Sequence, residues 1–260
     1  MQEDWDTLVI LDAFRADYFE DLCEFEGAYS TAISPATASR EYLERNFPDE
    51  YHDTVLTTAN PHAEHLEEGT FHDVQRLYTT DWEDGCIPPE HVTNTAIEAH
   101  ERWPAKRHVV HYMQPHAPFL GETKIRHVRG KQAGDVDQNI WESLRYGLTE
   151  KTIADVRTAY RENAEIALDA SKNLYDSIEG KMILTADHGE LLGDRTWPFP
   201  VRGFGHPKDY RVRELVEVPW FEFPFESRRS VVSEEPSQVG GGEEISDSEL
   251  SDRLEALGYR

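Results

Sequence analysis

The stretch "GKMILTADHG", residues 180–189, sets Met182, Ile183 and Leu184 just ahead of Asp187 and His188. A short apolar run without helical period reads as a strand buried on both faces, here one that stops at ionisable side chains. "DTLVILDA" (6–13), "HDTVLTTAN" (52–60) and "RHVVHYMQ" (107–114) repeat the theme. Between them lie helical patterns. "PPEHVTNTAIEAHERW" (88–103) opens on proline and spaces Val92, Ala96, Ile97 and Ala99 near helical intervals. Residues 149–178 form the longest, with Thr149 or Thr152 as cap and Gly180 as stop. Strands alternating with helices predict an α/β fold, a three-layer α/β/α sandwich around a mostly parallel central sheet. Ligands of such sheets sit beyond the carboxyl ends of the strands. Asp12, Asn60, His111, His116, Asp187 and His188 all fall at or just after strand ends.

The net charge is −25, from 51 acidic and 26 basic residues, and the acid is spread along the whole chain rather than gathered in a tail. That pattern suits a halophilic, acidic protein that stays hydrated in high salt. Its field repels nucleic acid and anionic membranes, so an anionic substrate needs a local positive centre, which a metal ion supplies. Cys23 and Cys86 have no framework or ligand spacing and are expected as reduced thiols in a cytoplasmic setting. "MQEDWDTLVILDAF" lacks a basic n-region, and its apolar run is too short to span a bilayer. A catalytic domain is expected over residues 1–226, with 121–139 as an exposed insertion. Residues 227–246 read as a flexible linker and 246–260 as a short amphipathic helix.

A carboxylate at Asp12, directly after the apolar run Leu8 to Leu11, is costly unless it is paired or bound to a cation. Arg15 offers an internal ion pair, and a metal offers the alternative. "SPATASREYL" (34–43) carries Ser34, Thr37 and Ser39 before an apolar helix. Ser39 reads as the N-cap. Thr37, separated from that cap by one turn residue, reads as the hydroxyl that a helix N-terminus and a metal would activate, with Ser34 and Ser39 left open. His116 is held between Pro115 and Pro118 in a non-helical loop that projects it into the crevice. At "DHGE", Asp187 and His188 can hold one ion if the chain turns there, which Gly189 permits. Carboxylate with imidazole suits Mn²⁺ or Zn²⁺, and Ca²⁺ or Mg²⁺ less well. Glu190 is expected outside the ligand set. His206 follows two glycines and lies close to Lys208.

Taken in order, "VILDAFRAD", "QPHAP", "TADHGELLGD" and "GHPKDYRVRELVEVPW" resemble motifs of the alkaline phosphatase and sulfatase superfamily. The C-terminal "RLEALGY" is similar to the ends of such proteins. The resemblance implies Asp12, Asp187 and His188 as ligands of one divalent ion, with Thr37 as fourth ligand and nucleophile. It implies that His116 stabilises the oxyanion or protonates the leaving group, and that His206 contacts the transferred group. Asn60, Arg15 and Lys208 complete the expected substrate-binding set for a small anionic ester. Two departures matter. No C-x-P-S-R surrounds either cysteine, and Ala13 stands where many sulfatases carry a second Asp. Both favour a Thr or Ser nucleophile, phosphoryl over sulfuryl chemistry, and a single softer ion. A non-catalytic relative that serves as a scaffold is the competing reading. A two-metal phosphatase would need one more acidic ligand near His111 and His116, and that stretch offers none.

Overall fold

Every residue of β1 (Thr7–Asp12) is buried, and the two-residue period of a strand divides its side chains between two cores. Val9 and Leu11 join one apolar cluster; Leu8 and Ile10 join another on the opposite face. β1 is therefore an interior strand covered on both sides, as its unbroken apolar run requires.

The computed structural model describes residues 4–79, 86–125, 140–196, 201–237 and 246–257. After β1 come α1 (Ala16–Leu22), β2 (Ala28–Ile33), α2 (Ser39–Asn46), β3 (Tyr51–Thr58), β4 (Phe71–Arg76) and α3 (Pro89–Arg102). Then follow β5 (Arg107–Pro115), α4 (Ile140–Tyr146), α5 (Ile153–Ser177), β6 (Met182–Ala186) and β7 (Leu191–Thr196). β8 (Val201–Gly205), α6 (Arg213–Val216), β9 (Glu217–Glu222) and α7 (Asp247–Ala256) complete the chain. Seven strands form one sheet in the order β2-β9-β6-β1-β5-β3-β4, while β7 and β8 pair separately. Neighbours from β6 through β4 run parallel, and β9 is antiparallel to both β6 and β2.

Helices α3 and α5 cover the Val9 face through Val92, Ala96, Ala164, Ala167 and Leu174. α2 covers the Ile10 face through Tyr42 and Leu43. The expected three-layer α/β/α sandwich with a mostly parallel sheet is the architecture found. α5 starts at a capping box: Thr152 Oγ1 accepts the Asp155 N–H, and the Asp155 carboxylate accepts the Thr152 N–H. Gly180, with φ +101°, lies just beyond its end.

One expectation is overturned at the other end of the sheet. Residues 227–237, read as flexible linker, are strapped along the amino ends of the strands. Arg228 grips the buried Asp6 carboxylate through Nε and Nη2 at 2.8 and 2.9 Å, and the N–H groups of Val232, Glu234 and Ser237 bond Ala105, His52 and His72 carbonyls. Polarity misled the sequence reading, because the strap satisfies backbone groups rather than filling a core. Residues 126–139 of the expected insertion lie outside the described residues.

Candidate active site

Parallel pairing makes the site. Leu11 on β1 stands opposite Ala186 on β6, so the next residues, Asp12 and Asp187, leave the sheet side by side. Both are fully buried, as are His188, His111, Ser39 and Asn60. Asp12 Oδ2 accepts from Asn60 Nδ2 at 2.9 Å and from Ser39 Oγ at 3.2 Å. Ser39 Oγ also lies 3.5 Å from His188 Nε2. Asp187 Oδ1 accepts the N–H groups of Ala13 and His188, at 3.0 and 2.8 Å. Its Oδ2 takes no hydrogen bond from the described residues.

The His188 ring is oriented for a cation. Nδ1 faces the Gly189 carbonyl at 2.9 Å, so it carries the proton and leaves Nε2 as a lone pair. That lone pair points at carboxylate oxygens, 3.7 Å from Asp12 Oδ1 and 3.6 Å from Asp187 Oδ2. Two buried carboxylates side by side repel each other unless a positive charge lies among them. Burial works to raise the Asp187 carboxyl, but His188, His111 and the Ala13 N–H outweigh it and hold the group below the usual carboxylate range. The donor set fits a divalent ion, and its imidazole favours Mn²⁺ or Zn²⁺.

Of the three candidate hydroxyls only Ser39 meets this cluster. Ala38, not Ser39, is the N-cap and makes no side-chain cap bond; Ser39 is the first helical residue. Thr37, favoured from sequence, turns away and donates to the Pro207 carbonyl at 3.3 Å. Ser34 donates to the Asp187 carbonyl and accepts the Ala36 N–H, which makes it part of the turn. The cap lies one residue upstream of the one expected: the extended Ala38 ends the turn, so the helix begins one residue earlier than the capping rule suggested and Ser39 is its first residue.

Three substrate-binding assignments also change. Arg15 is buried and faces Asp17 and Asp194, each at 2.7 Å, and the Glu190 carbonyl at 3.1 Å. It does not pair with Asp12 and instead anchors the loop after Asp187. Asn60 spends its amide on Asp12, and its Oδ1 accepts the His62 N–H, so it positions a carboxylate rather than facing substrate. Lys208 lies exposed in the turn after His206, outside the buried cluster. Gly189 is needed for close approach rather than for φ: a Cβ there would stand 2.1 Å from the Glu214 carbonyl oxygen. Tyr160, unnoticed in the sequence, clamps the turn at Ala13 (φ 61°), donating to the Ala13 carbonyl and accepting the Arg15 N–H.

A second cluster adjoins the first. His116 Nε2 lies 3.1 Å from His206 Nε2 and 3.9 Å from Glu190 Oε2, and the rings of His206 and His188 are 4.5 Å apart. His116, Glu190 and His206 bring ligating atoms within 4.8 Å of one another. Glu190, expected as a bystander, is fully buried, and neither of its oxygens takes a hydrogen bond from the described residues. Burial drives its carboxyl well above the usual range, with Arg15 opposing and Asp187 adding to the rise. Burial, then His188 and His116, hold His206 well below the ordinary imidazole value. The acidic residue missing near His116 in sequence comes from the loop after β6.

No family model matches the chain, and no curated protein matches it. Solved structures do. The integral membrane lipooligosaccharide phosphoethanolamine transferase A of Neisseria meningitidis superposes with a TM-score of 0.55 at 12% identity, over 83% of this chain and 47% of that one. This chain therefore spans about half the length of that transferase. The C-terminal periplasmic domain of EptC from Escherichia coli, in complex with Zn, gives 0.55 at 14% identity over 85% of this chain and 72% of that one. A putative sulfatase from Bacteroides thetaiotaomicron gives 0.50 at 10% identity over 98% and 70%. Among the described residues no helix is long and apolar enough to cross a membrane. With its mostly parallel seven-stranded sheet between helical layers, the chain has the fold shared by these phosphoethanolamine transferase and sulfatase structures, that of the alkaline phosphatase and sulfatase superfamily.

Proposed function

We propose that the chain is a metal-dependent enzyme acting on a small anionic ester through Ser39, with phosphoryl transfer favoured over sulfuryl transfer. One observation carries this: a serine hydroxyl at the first turn of α2 lies 3.2 Å from Asp12 and 3.5 Å from His188, inside a buried Asp–Asp–His set. Asp12, Asp187, His188 and Ser39 would hold the ion. When bound, a divalent cation supplies the positive charge that stabilises the substrate's oxygen and makes a hydroxyl nucleophilic at neutral pH.

The chain's own residues do the rest. Asp12 orients Ser39 Oγ, and the free N–H groups of the first turn of α2 favour the negative charge that develops there. Oγ passes its proton along the hydrogen bond to Asp12 and forms a bond to phosphorus in line as the ester oxygen departs. His116 Nδ1 faces the Ala117 carbonyl at 2.7 Å and so carries a proton; as the imidazolium it holds a second one on Nε2, on the line to His206 Nε2, and that is the proton it would give the leaving oxygen. Water or a second alcohol then displaces Ser39, giving hydrolysis or transfer. The serine nucleophile and the lack of C-x-P-S-R support phosphorus as the centre attacked. Two thiols, Cys23 and Cys86, and an acidic surface support a cytoplasmic, salt-tolerant setting without nucleic-acid partners.

Metal analysis and a panel of aryl phosphate, phosphodiester and aryl sulfate esters test the reading. Wild type is expected to retain a stoichiometric ion, and Asp187→Ala to lose both ion and turnover. Ser39→Ala should lower turnover about 10³-fold or more. Thr37→Val, which removes one 3.3 Å hydrogen bond, should cost about tenfold at most. A chain that binds no ion and cleaves nothing is the scaffold of the competing reading. Loss of activity in Thr37→Val but not Ser39→Ala overturns the nucleophile.

The His116–Glu190–His206 cluster favours a second reading, a two-ion centre in which His116 is a ligand and donates no proton. Two equivalents of ion per chain, falling to one in Glu190→Gln, would support it.

A further inference from the structure

We propose that His111 is a direct ligand of the ion at Asp12 and Asp187, so that two carboxylates and two imidazoles hold it. The inference rests on the metal reading above and adds a residue from the interior of the sheet.

His111 stands on β5 opposite Ile10 of β1, and Ile10 stands opposite Thr185 of β6. In a pleated sheet these three share one face, and Asp12 and Asp187, two residues further along, share it too. That face looks toward α2, whose first residue is Ser39. His111 is fully buried, and neither ring nitrogen makes a hydrogen bond with the described residues. Other buried histidines here behave differently. His100 bonds Thr7 and the Ala96 carbonyl, and His108 bonds the Trp103 carbonyl. An imidazole left bare in a core forfeits the hydrogen bonds it made with water, so something must compensate.

The nearest complement is Asp187 Oδ2, itself without a hydrogen bond, 3.7 Å from His111 Nε2. That gap is too long for a hydrogen bond. It matches the neighbouring gaps, 3.6 Å from His188 Nε2 to Asp187 Oδ2 and 3.7 Å to Asp12 Oδ1. Two ligands about 2.1 Å from one tetrahedral ion stand about 3.4 Å apart. Near-equal separations of this size are edges of a coordination shell rather than failed hydrogen bonds. Asp12, His111 and Asp187 present ligating atoms within 4.8 Å of each other. A second imidazole makes the site softer and moves its preference further from Ca²⁺ and Mg²⁺ toward Zn²⁺.

The test uses the full chain, stripped by chelator and titrated to saturation with Zn²⁺. In ¹⁵N-histidine NMR with backbone-derived assignments, the Nε2 resonances of both His188 and His111 are expected to move to metal-bound positions. In chelator competition, His111→Gln is expected to bind Zn²⁺ at least 100-fold more weakly, with unchanged circular dichroism. If His188 moves and His111 does not, His111 is only a packed neighbour, and the inference falls while the metal reading stands. An affinity kept within tenfold in His111→Gln has the same meaning. If no histidine moves and no ion is retained, both fall. The wild-type spectrum decides the matter even if the variant fails to fold.

Discussion

At Gly189 the site depends on an absent atom. The N–H of Gly189 donates to the Leu215 carbonyl at 2.9 Å, and the neighbouring Glu214 carbonyl presses where a Cβ would be. Gly189→Ala must push the loop off that backbone, and Asp187 and His188 move with it. The expected result is a loss of about 1–3 kcal/mol in urea unfolding together with weakened ion binding. A variant with unchanged stability and affinity would show that the contact is slack. Residues of this kind also mark how far the sequence could be read. Asp12, Asp187, His188 and His116 were legible because each follows an apolar run at a strand end. Ser39 was seen but misassigned, because capping rules place a helix start only to within a residue or two. His111 was visible as a strand-end candidate but not which carboxylates it faces, and Glu190 was expected outside the ligand set: their neighbours come from other strands, and sequence spacing carries no signal of that.

Among elements, the packing of α3 on β5 sets a pH dependence. His100 of α3 and His108 of β5 stack with ring centroids 3.7 Å apart inside the protein. Burial, with Arg229 nearby, holds His100 down at about 4, and burial and then His100 itself hold His108 lower still. The unfolded chain protonates these rings below about pH 6.5, whereas the folded chain keeps them neutral. Stability is therefore complete above pH 6.5 and falls as the pH drops toward 4, by up to about 1.4 kcal/mol per pH unit for each histidine. His108→Phe should remove one such contribution from the slope of denaturation free energy against pH. An unchanged slope would mean the ring takes up its proton without cost. Elements were legible in the same uneven way. The interior strands β1, β3, β5 and β6 announced themselves by apolar runs, and α3 and α5 by period and caps. β2 is mostly exposed at the sheet edge, and β9 contains Pro219, so neither carries the pattern of a buried strand.

Over the whole molecule the charge of −25 repels itself at every separation shorter than the screening length. Raising KCl from 0.1 to 2 M should raise the melting temperature by about 2–4 °C for each kcal/mol of repulsion relieved. A melting temperature that stays level or falls would remove the high-salt interpretation. The pairing of β1 with β6 has a consequence in time as well. Asp12 leaves a ribosome 175 residues before Asp187, an interval of about 9–35 s at ordinary synthesis rates. By its end the nascent chain holds Asp12, Ser39 and His111 but still lacks the two residues that close the site. An ion bound by the finished set cannot template the fold as it is being made. Under the proposed metal reading it would act as a latch, slowing the escape of a chain that has already closed.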